Sequence, residues 1–313
     1  MGGTLEVVAP VFGLLLVGFA AVRLGWFAED STRGLVRFVF NFAIPALLFR
    51  SLAIIEFPEQ IEWGFLLSFY VGSLAVYAVG MAAARFVFGR SPDAQAIFGM
   101  AAGFSNTVMV GIPVLLTAFG PQASLPAFLL IALQSPLLLP LTVALIHRGR
   151  GRADGLLTRL RNASGDLLRT PIITSVLAGL AVNAAGLSLP GPLDSLAALL
   201  GTAAVPCALF AMGASLAAVP LRGDLAPALL LVGCKLVLHP LAVWLLAVPL
   251  MGLDGIWVPV AVTMAAMPSG VNAYLFAARY EAAEGVASRA VSLSTALSVV
   301  TISGVLYFFR GLV

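Results

Sequence analysis

The chain has 313 residues, of which 61% are hydrophobic and only 10% are charged. Soluble domains carry about 25% charged residues, so this composition excludes a soluble globular protein and indicates an integral membrane protein. The formal net charge is +3, and the chain contains only two cysteines, Cys207 and Cys234. Both cysteines sit in apolar runs, which excludes a disulfide framework and favours a packing role.

Apolar stretches of roughly 20 residues, the length that crosses a bilayer as a helix, predict an all-α integral membrane protein with ten transmembrane helices. The first stretch has no basic residue before it and is long enough to span, which argues against a cleaved signal peptide. The seventh is the least apolar, because it is rich in Ala, Gly and Pro. The predicted spans cover residues 5–25, 35–55, 63–88, 94–119, 124–146, 170–188, 193–219, 225–250, 255–279 and 286–309.

The basic residues divide unequally between the loops of this arrangement. If the spans alternate in direction, most of the seventeen basic residues fall at the odd-numbered loops, while Arg50 and Arg310 fall on the other side and Lys235 lies within a span. The positive-inside rule then predicts that the odd-numbered loops are cytoplasmic and that both termini are outside. The residues at the odd-numbered loops are Arg23, Arg33, Arg37, Arg85, Arg90, Arg148, Arg150, Arg152, Arg159, Arg161, Arg169, Arg222, Arg279 and Arg289.

The chain contains an internal repeat on either side of its longest connector. The segment "AIPALLF" (43–49) matches "AVPCALF" (204–210), and the same shift places "AAGFSNTVMVG" (101–111) on "VTMAAMPSGVN" (262–272). This pairs span two with span seven and span four with span nine. Because each half has an odd number of spans, the two five-helix repeats must be inverted.

The repeat predicts the organisation of the chain. Residues 1–146 form the first repeat, residues 147–169 a cytoplasmic connector and residues 170–313 the second repeat, within one integrated membrane unit. The arginines of the connector either attract anionic lipid or serve only to orient the chain. Asn41, Pro45 and Pro206, in the matched spans two and seven, are assigned to repeat packing.

Spans four and nine are interrupted near their centres by polar and helix-breaking residues. A proline inside a span removes a backbone donor and clashes with the preceding turn. Open backbone at membrane depth survives only where protein or a water-filled cavity surrounds it. Matched broken helices in inverted halves point to a transporter's substrate site, where half-helix N-termini direct positive dipole ends at an anion. The alternative is a proline kink that neighbouring helices accommodate.

The interrupted segments supply the candidate binding residues. Their polar side chains and open backbone either contact a ligand or join helices in a packed bundle. Gly111 and Pro113 would let the chain unwind and restart, while Pro268 would start the second half of span nine and leave the amides of Ser269 and Gly270 open. The candidates are Ser105, Asn106, Thr107, Gly111, Pro113, Pro268, Ser269, Gly270 and Asn272.

Several segments resemble the auxin efflux carrier family, and the resemblance runs through nearly the whole chain. The bacterial members of that family include malate and other carboxylate permeases, and its plant members are the PIN auxin exporters. Unlike many plant carriers, this chain has no long cytoplasmic loop. The matching segments are "FNFAIPALLFRSLA" (40–53), "SNTVMVGIP" (105–113), "KLVLHPL" (235–241) and "MPSGVNAYLFAARY" (267–280).

The resemblance implies ten helices in two inverted repeats. Spans four and nine would cross at their broken centres and form the substrate site between a scaffold and a transport domain. Asn106 with Pro113 matches the family's helix-four crossover motif, and Pro268 matches its helix-nine crossover proline. Asn272 stands where plant members often carry an apolar residue.

Lys235 and His239 are the ionisable residues within a span. They lie four residues apart, hence on one face of span eight. Lys235 either attracts a substrate carboxylate and changes protonation, or reaches the cytoplasmic interface as an anchor. His239 either carries a proton or packs. All fourteen acidic residues map to loops or helix ends, so no buried carboxylate pair is expected.

These observations predict a secondary transporter of small organic anions, either mono- or dicarboxylates, in the bacterial cytoplasmic membrane. A sodium-coupled organic-anion symporter of the bile-acid type is the alternative within transport; a membrane-embedded enzyme or a sensor is the alternative outside it. Two histidines and no metal-ligand cluster argue against the enzyme. We expect no metal or cofactor, coupling to H⁺ or Na⁺ if any, lipid as neighbour, no nucleic-acid partner, and a homodimer if the protein assembles.

Overall fold

The computed structural model describes residues 2–55, 62–150, 171–219 and 224–309, with side chains from residue 8 onward. In these ranges the secondary structure consists of helices, with no β-strand. Two residues form an isolated β-bridge. The predicted all-α membrane architecture is thereby confirmed. Most of the connector at 147–169 and the C-terminal residue 313 lie outside the described residues.

The described ranges contain twelve helices, which we number in chain order. Each predicted span overlaps a helix, and spans four and nine are each divided into two. The helices are α1 Gly2–Arg23, α2 Glu29–Ile54, α3 Trp63–Phe86, α4 Pro92–Gly103, α5 Thr107–Phe119, α6 Pro121–Gly149, α7 Pro171–Ala184, α8 Gly191–Ala218, α9 Leu225–Leu250, α10 Trp257–Ala265, α11 Val271–Arg279 and α12 Glu284–Phe308.

Six of the described helices are long and apolar enough to cross a membrane, namely α2, α3, α6, α8, α9 and α12. Shorter apolar helices cover Val8–Arg23, Thr107–Phe119 and Pro171–Ala184. Together they give a multi-pass membrane protein. The count of ten crossings and the inverted relation of the two halves stay predictions.

Prolines inside three of the helices are accommodated by wide π turns. Proline lacks an N–H group, and its ring clashes with the carbonyl four residues earlier. In each case that carbonyl lies in the π turn, so the helix continues through the proline. This corrects the expectation that span four unwinds at Gly111 and Pro113. The pairs are Val39–Ala43 with Pro45, Thr107–Gly111 with Pro113, and Cys234–Leu238 with Pro240.

The structure divides into two compact units. The first comprises residues 1–61, 108–132 and 164–218. Within it α1 lies against α8 at glycine contacts: a methyl group at Gly18 would be 2.1 Å from the Phe210 carbonyl oxygen. Small residues allow this close approach in a bilayer, where packing rather than the hydrophobic effect joins helices.

The second unit comprises residues 62–107, 133–163 and 219–313. In this unit α3 and α4 meet at glycines. A Cβ atom at Gly99 would lie 2.3 Å from the Tyr77 ring, and one at Gly103 would lie 2.7 Å from the Ser73 carbonyl oxygen. The last residue of α4 is therefore held against α3.

Arg150 connects the ends of three helices of the second unit. Its guanidinium lies 3.1 Å from the Asp93 carboxylate at the start of α4 and donates to the carbonyl oxygen of Tyr280, just after α11. Burial would raise the pKa of the Asp93 carboxyl, but hydrogen bonds from Ser91 and Arg150 outweigh this and lower it. The first half of span four and the second half of span nine are thus tied at their ends.

Candidate functional site

The two helix breaks of the second unit pair with each other. Phe104–Asn106 follows α4 and Pro268–Gly270 precedes α11, and the two segments run antiparallel with Ser105 opposite Ser269. The Asn106 amide donates to the Pro268 carbonyl oxygen at 2.9 Å, and the Gly270 amide donates to the Phe104 carbonyl oxygen at 2.9 Å. Each interruption therefore satisfies backbone groups of the other, which buried backbone requires.

The sequence of span nine explains the extended segment. Pro268 has no N–H group to donate to a preceding helical turn, and Gly270 precedes α11 in an extended conformation. A Cβ atom at Gly270 would lie 2.5 Å from the Phe104 ring, so the close approach of the two segments depends on glycine. The sequence suggested that Pro268 starts the second half-helix. This is wrong, because α11 begins three residues later, at Val271.

Side chains complete the hydrogen bonding of this crossover. Ser269 Oγ donates to the Ala101 carbonyl oxygen at 2.6 Å, and the Ser269 amide donates to Ser294 Oγ at 3.1 Å. The amides of Ser269 and Gly270, which the sequence suggested were open, are both bonded. The first-turn amides of α11, beginning at Val271, lie at the positive end of the helix dipole.

The predicted binding residues fall into two groups. Around the crossover the structure brings together Ser105, Asn106, Pro268, Ser269 and Gly270, all of them buried. The others lie along the helices that leave it: Thr107, Gly111 and Pro113 on α5, also buried, and Asn272 on the first turn of α11, half-buried.

Two residues at the crossover were missed by sequence reasoning. Gln134 on α6 is buried, and its Nε2 donates to the Ser105 carbonyl oxygen at 2.7 Å. An amide within the apolar run "IALQSPLLLP" was the available signal. No sequence signal distinguished Ser294 on α12, because serines recur along that helix. Ser105 Oγ and Gln134 Oε1 are buried without a hydrogen-bond partner in the described part of the chain.

Lys235 and His239 lie in the interior of the second unit, and both are 0% exposed. Lys235 Nζ donates to the Ala265 carbonyl oxygen at 2.6 Å and lies 2.9 Å from His239 Nδ1. Ala265 is the last residue of α10, where an ammonium group is favoured by the helix dipole. The Lys235 ammonium is directed into the protein, not toward an interface.

The residues assigned to repeat packing belong to the first unit. Pro45 is buried within α2, while Asn41 on α2 and Pro206 on α8 are exposed. Their role in a repeat stays a prediction. Among the described residues, no group of His, Cys, Asp or Glu side chains could hold a metal ion.

The amino-acid sequence of the chain matches a family of known proteins. The sequence pattern that defines the family described as membrane transport protein matches residues 4–154 and 157–306. The chain belongs to the membrane transport protein family. The resemblance to auxin efflux carriers, which are members of this family, is confirmed. Membership indicates a transporter of small molecules rather than an enzyme.

Relatives of this membrane transport protein include chains of nearly equal length. A Rhizobium meliloti (strain 1021) protein named "Putative malonate transporter" is 30% identical over 97% of this chain and 95% of its own. A protein of Methanothermobacter thermautotrophicus named "Uncharacterized transporter" is 27% identical over 96% of each. A "Lysosomal cholesterol signaling protein" of Mus musculus is 30% identical over 38% of this chain and 14% of its own.

Proposed function

We propose that the protein is a secondary transporter of small organic anions, mono- or dicarboxylates, that works by alternating access at the crossover of α4–α5 with α10–α11. The observation that carries the proposal is the pairing of two helix breaks by reciprocal backbone hydrogen bonds. A helix is broken at membrane depth only where function or packing compensates. The malonate relative supports a carboxylate as substrate.

The chemistry of the crossover suits an anion. The N-terminus of a helix carries the equivalent of about half a positive elementary charge, and α5 and α11 both begin at the breaks. Carboxylate oxygens accept hydrogen bonds from amide side chains, which Asn106 and Asn272 supply. We assign substrate binding to Ser105, Asn106, Thr107, Pro268, Ser269, Gly270 and Asn272 of the second unit, and a charge or coupling role to Lys235 and His239. The binding role of Gly111 and Pro113, which belong to the first unit, stays a prediction from the sequence.

Uptake by proteoliposomes tests the function. We expect radiolabelled malonate to be transported and an excess of unlabelled malonate to compete. Imposed proton and sodium gradients, applied separately, distinguish a proton-coupled carrier from a sodium-coupled symporter and from a uniporter. If neither malonate nor any member of a carboxylate panel is transported, the proposal is wrong.

Replacing the two crossover asparagines tests the binding site. Asn106→Ala and Asn272→Ala should each weaken malonate binding by roughly 1 to 2 kcal/mol, because loss of one partner leaves a polar group of the ligand unsatisfied. The measurement is calorimetry on purified protein in detergent. Asn183→Ala, in the first unit, removes an amide that bonds to Ala53 and Ile55 and serves as the control. Native affinity in both crossover variants would refute the assignment.

We also propose ten spans in two inverted five-helix repeats, with both termini outside the bacterial cytoplasmic membrane. The prediction is that single cysteines at positions 152 and 313 are labelled from opposite faces. The background lacks Cys207 and Cys234, the native thiols. Impermeant maleimide applied to intact cells and to inverted vesicles makes the measurement. Labelling of both positions from one face would eliminate the inverted repeat.

A further inference from the structure

A chain of buried hydrogen bonds connects α3, α9 and α10 in the second unit. Ser73 Oγ donates to the Phe69 carbonyl oxygen at 2.8 Å and lies 2.9 Å from His239 Nε2. His239 Nδ1 lies 2.9 Å from Lys235 Nζ, which donates to the Ala265 carbonyl oxygen at 2.6 Å. Ser73, His239 and Lys235 are all 0% exposed.

The direction of these hydrogen bonds follows from the number of protons available. A serine hydroxyl has one proton, and the Phe69 carbonyl oxygen beside Ser73 Oγ can only accept one. We assign the Ser73 proton to that oxygen, in which case His239 Nε2 carries a proton and donates to Ser73 Oγ. In a neutral imidazole the other nitrogen is then an acceptor, so Nδ1 accepts from Lys235 Nζ, which has protons for both of its contacts.

Both ends of the hydrogen-bond chain are backbone carbonyl groups. From Lys235 it reaches the Ala265 oxygen on one side and, through His239 and Ser73, the Phe69 oxygen on the other. A carbonyl oxygen accepts a hydrogen bond but has no proton to pass on. A proton moved from Lys235 to His239 therefore has no onward acceptor beyond Ser73.

The position of the chain relates it to the crossover. Ala265 ends α10, the first half of span nine. The Ser73 carbonyl oxygen is the atom against which Gly103, the last residue of α4, is packed. The hydrogen-bond chain therefore runs between the ends of the first halves of the two broken spans, and it places the Lys235 amino group at the negative dipole end of α10.

No carboxylate lies at the centre of the helices packed on α9, which are α3, α4, α10 and α12. Helix α10 carries no titratable residue, and the acidic groups of α4 and α12 are in their first turns. The titratable and charged residues on these four helices are Tyr70, Tyr77, Arg85, Asp93, Glu284, Arg289 and Tyr307, and α9 itself also carries Cys234.

We propose that Lys235, His239 and Ser73 form a fixed, one-directional hydrogen-bond chain that holds the Lys235 amino group against the carbonyl end of α10, and that Ser73 and His239 are positioning residues for the crossover. The proposal deepens the transport function proposed above and rests on it for its consequence, not for its geometry. His239 keeps one tautomer and does not carry protons during the cycle, so the charge or coupling role assigned above to the pair belongs to Lys235 alone.

Nitrogen NMR of the histidine side chain tests the geometry without transport. The protein has two histidines, so the His147→Gln variant, labelled with ¹⁵N-histidine, reports His239 alone. We expect a neutral ring protonated at Nε2 throughout the range of about pH 5 to 8 in which histidines ordinarily titrate. In Lys235→Met, which removes the donor at Nδ1, the tautomer should no longer be fixed. A ring that becomes doubly protonated, or a tautomer unchanged by Lys235→Met, would overturn the proposal.

Substitutions at His239 test the consequence for transport. His239→Gln retains one acceptor and one donor but does not titrate, so it should keep the pH profile of malonate uptake and lose less than about threefold in rate. His239→Leu keeps neither group and should lose at least about tenfold. If His239 is instead a proton carrier, His239→Gln will abolish the pH dependence. Absence of malonate uptake by the native protein would refute the proposed function and leave the NMR result to decide this inference.

Discussion

Replacing Lys235 by methionine is expected to reduce malonate transport at least about tenfold. The substitution keeps the length of the side chain and removes its charge. It leaves two buried acceptors, the Ala265 carbonyl oxygen and His239 Nδ1, without the donor they share. An unsatisfied buried acceptor costs about 1 to 3 kcal/mol, and about 1.4 kcal/mol corresponds to a tenfold change. We expect that energy to be released by movement of α10 away from its native position.

The controls separate this effect from misfolding. Val237→Met changes a residue of the same π turn that is 60% exposed and should transport normally. Lys235→Arg should rescue poorly, because a planar guanidinium does not fit the site of a compact ammonium group. The measurement is initial uptake by proteoliposomes at equal amounts of inserted protein. A native rate for Lys235→Met across the pH range would show that neither the charge nor the cap on α10 contributes to transport.

Replacing Gly103 by alanine is expected to destabilise the protein and distort the crossover. The added methyl group would lie 2.7 Å from the Ser73 carbonyl oxygen and 3.1 Å from Tyr77 Cβ. A backbone carbonyl within a helix cannot rotate away, so α3 and α4 must separate. Overpacking of this kind costs about 1 to 3 kcal/mol. Because Gly103 immediately precedes the extended segment, malonate binding should weaken as well.

A second glycine provides a matched control. Gly233 is also helical and lies in the same unit, but a Cβ atom there has no neighbour within 4 Å. Alanine at this position should stabilise the helix by up to about 1 kcal/mol. The two variants should therefore move the thermal unfolding temperature in detergent in opposite directions. If Gly103→Ala unfolds at or above the native temperature, the close approach of α3 and α4 is wrong.

The sequence predicted those features that depend on local composition. The helix positions follow from apolar runs, whose length is set by the thickness of the bilayer. The breaks in spans four and nine follow from Pro, Gly and polar residues clustered in apolar segments, since these residues oppose helix wherever they occur. The exact form of each break was less predictable: Pro113 was accommodated by a π turn, and Pro268 stands before the helix it was expected to start.

Only the tertiary structure decided how the breaks are satisfied. Which amide bonds to which carbonyl depends on the approach of segments more than 160 residues apart in the chain, such as Phe104–Asn106 and Pro268–Gly270. No periodicity or composition encodes such a pairing. For the same reason the sequence placed Lys235 and His239 on one helix face, but it could not supply Ser73 or the end of α10. Hydropathy acts within a segment, whereas hydrogen-bond partners are fixed by the packing of helices that are distant in sequence.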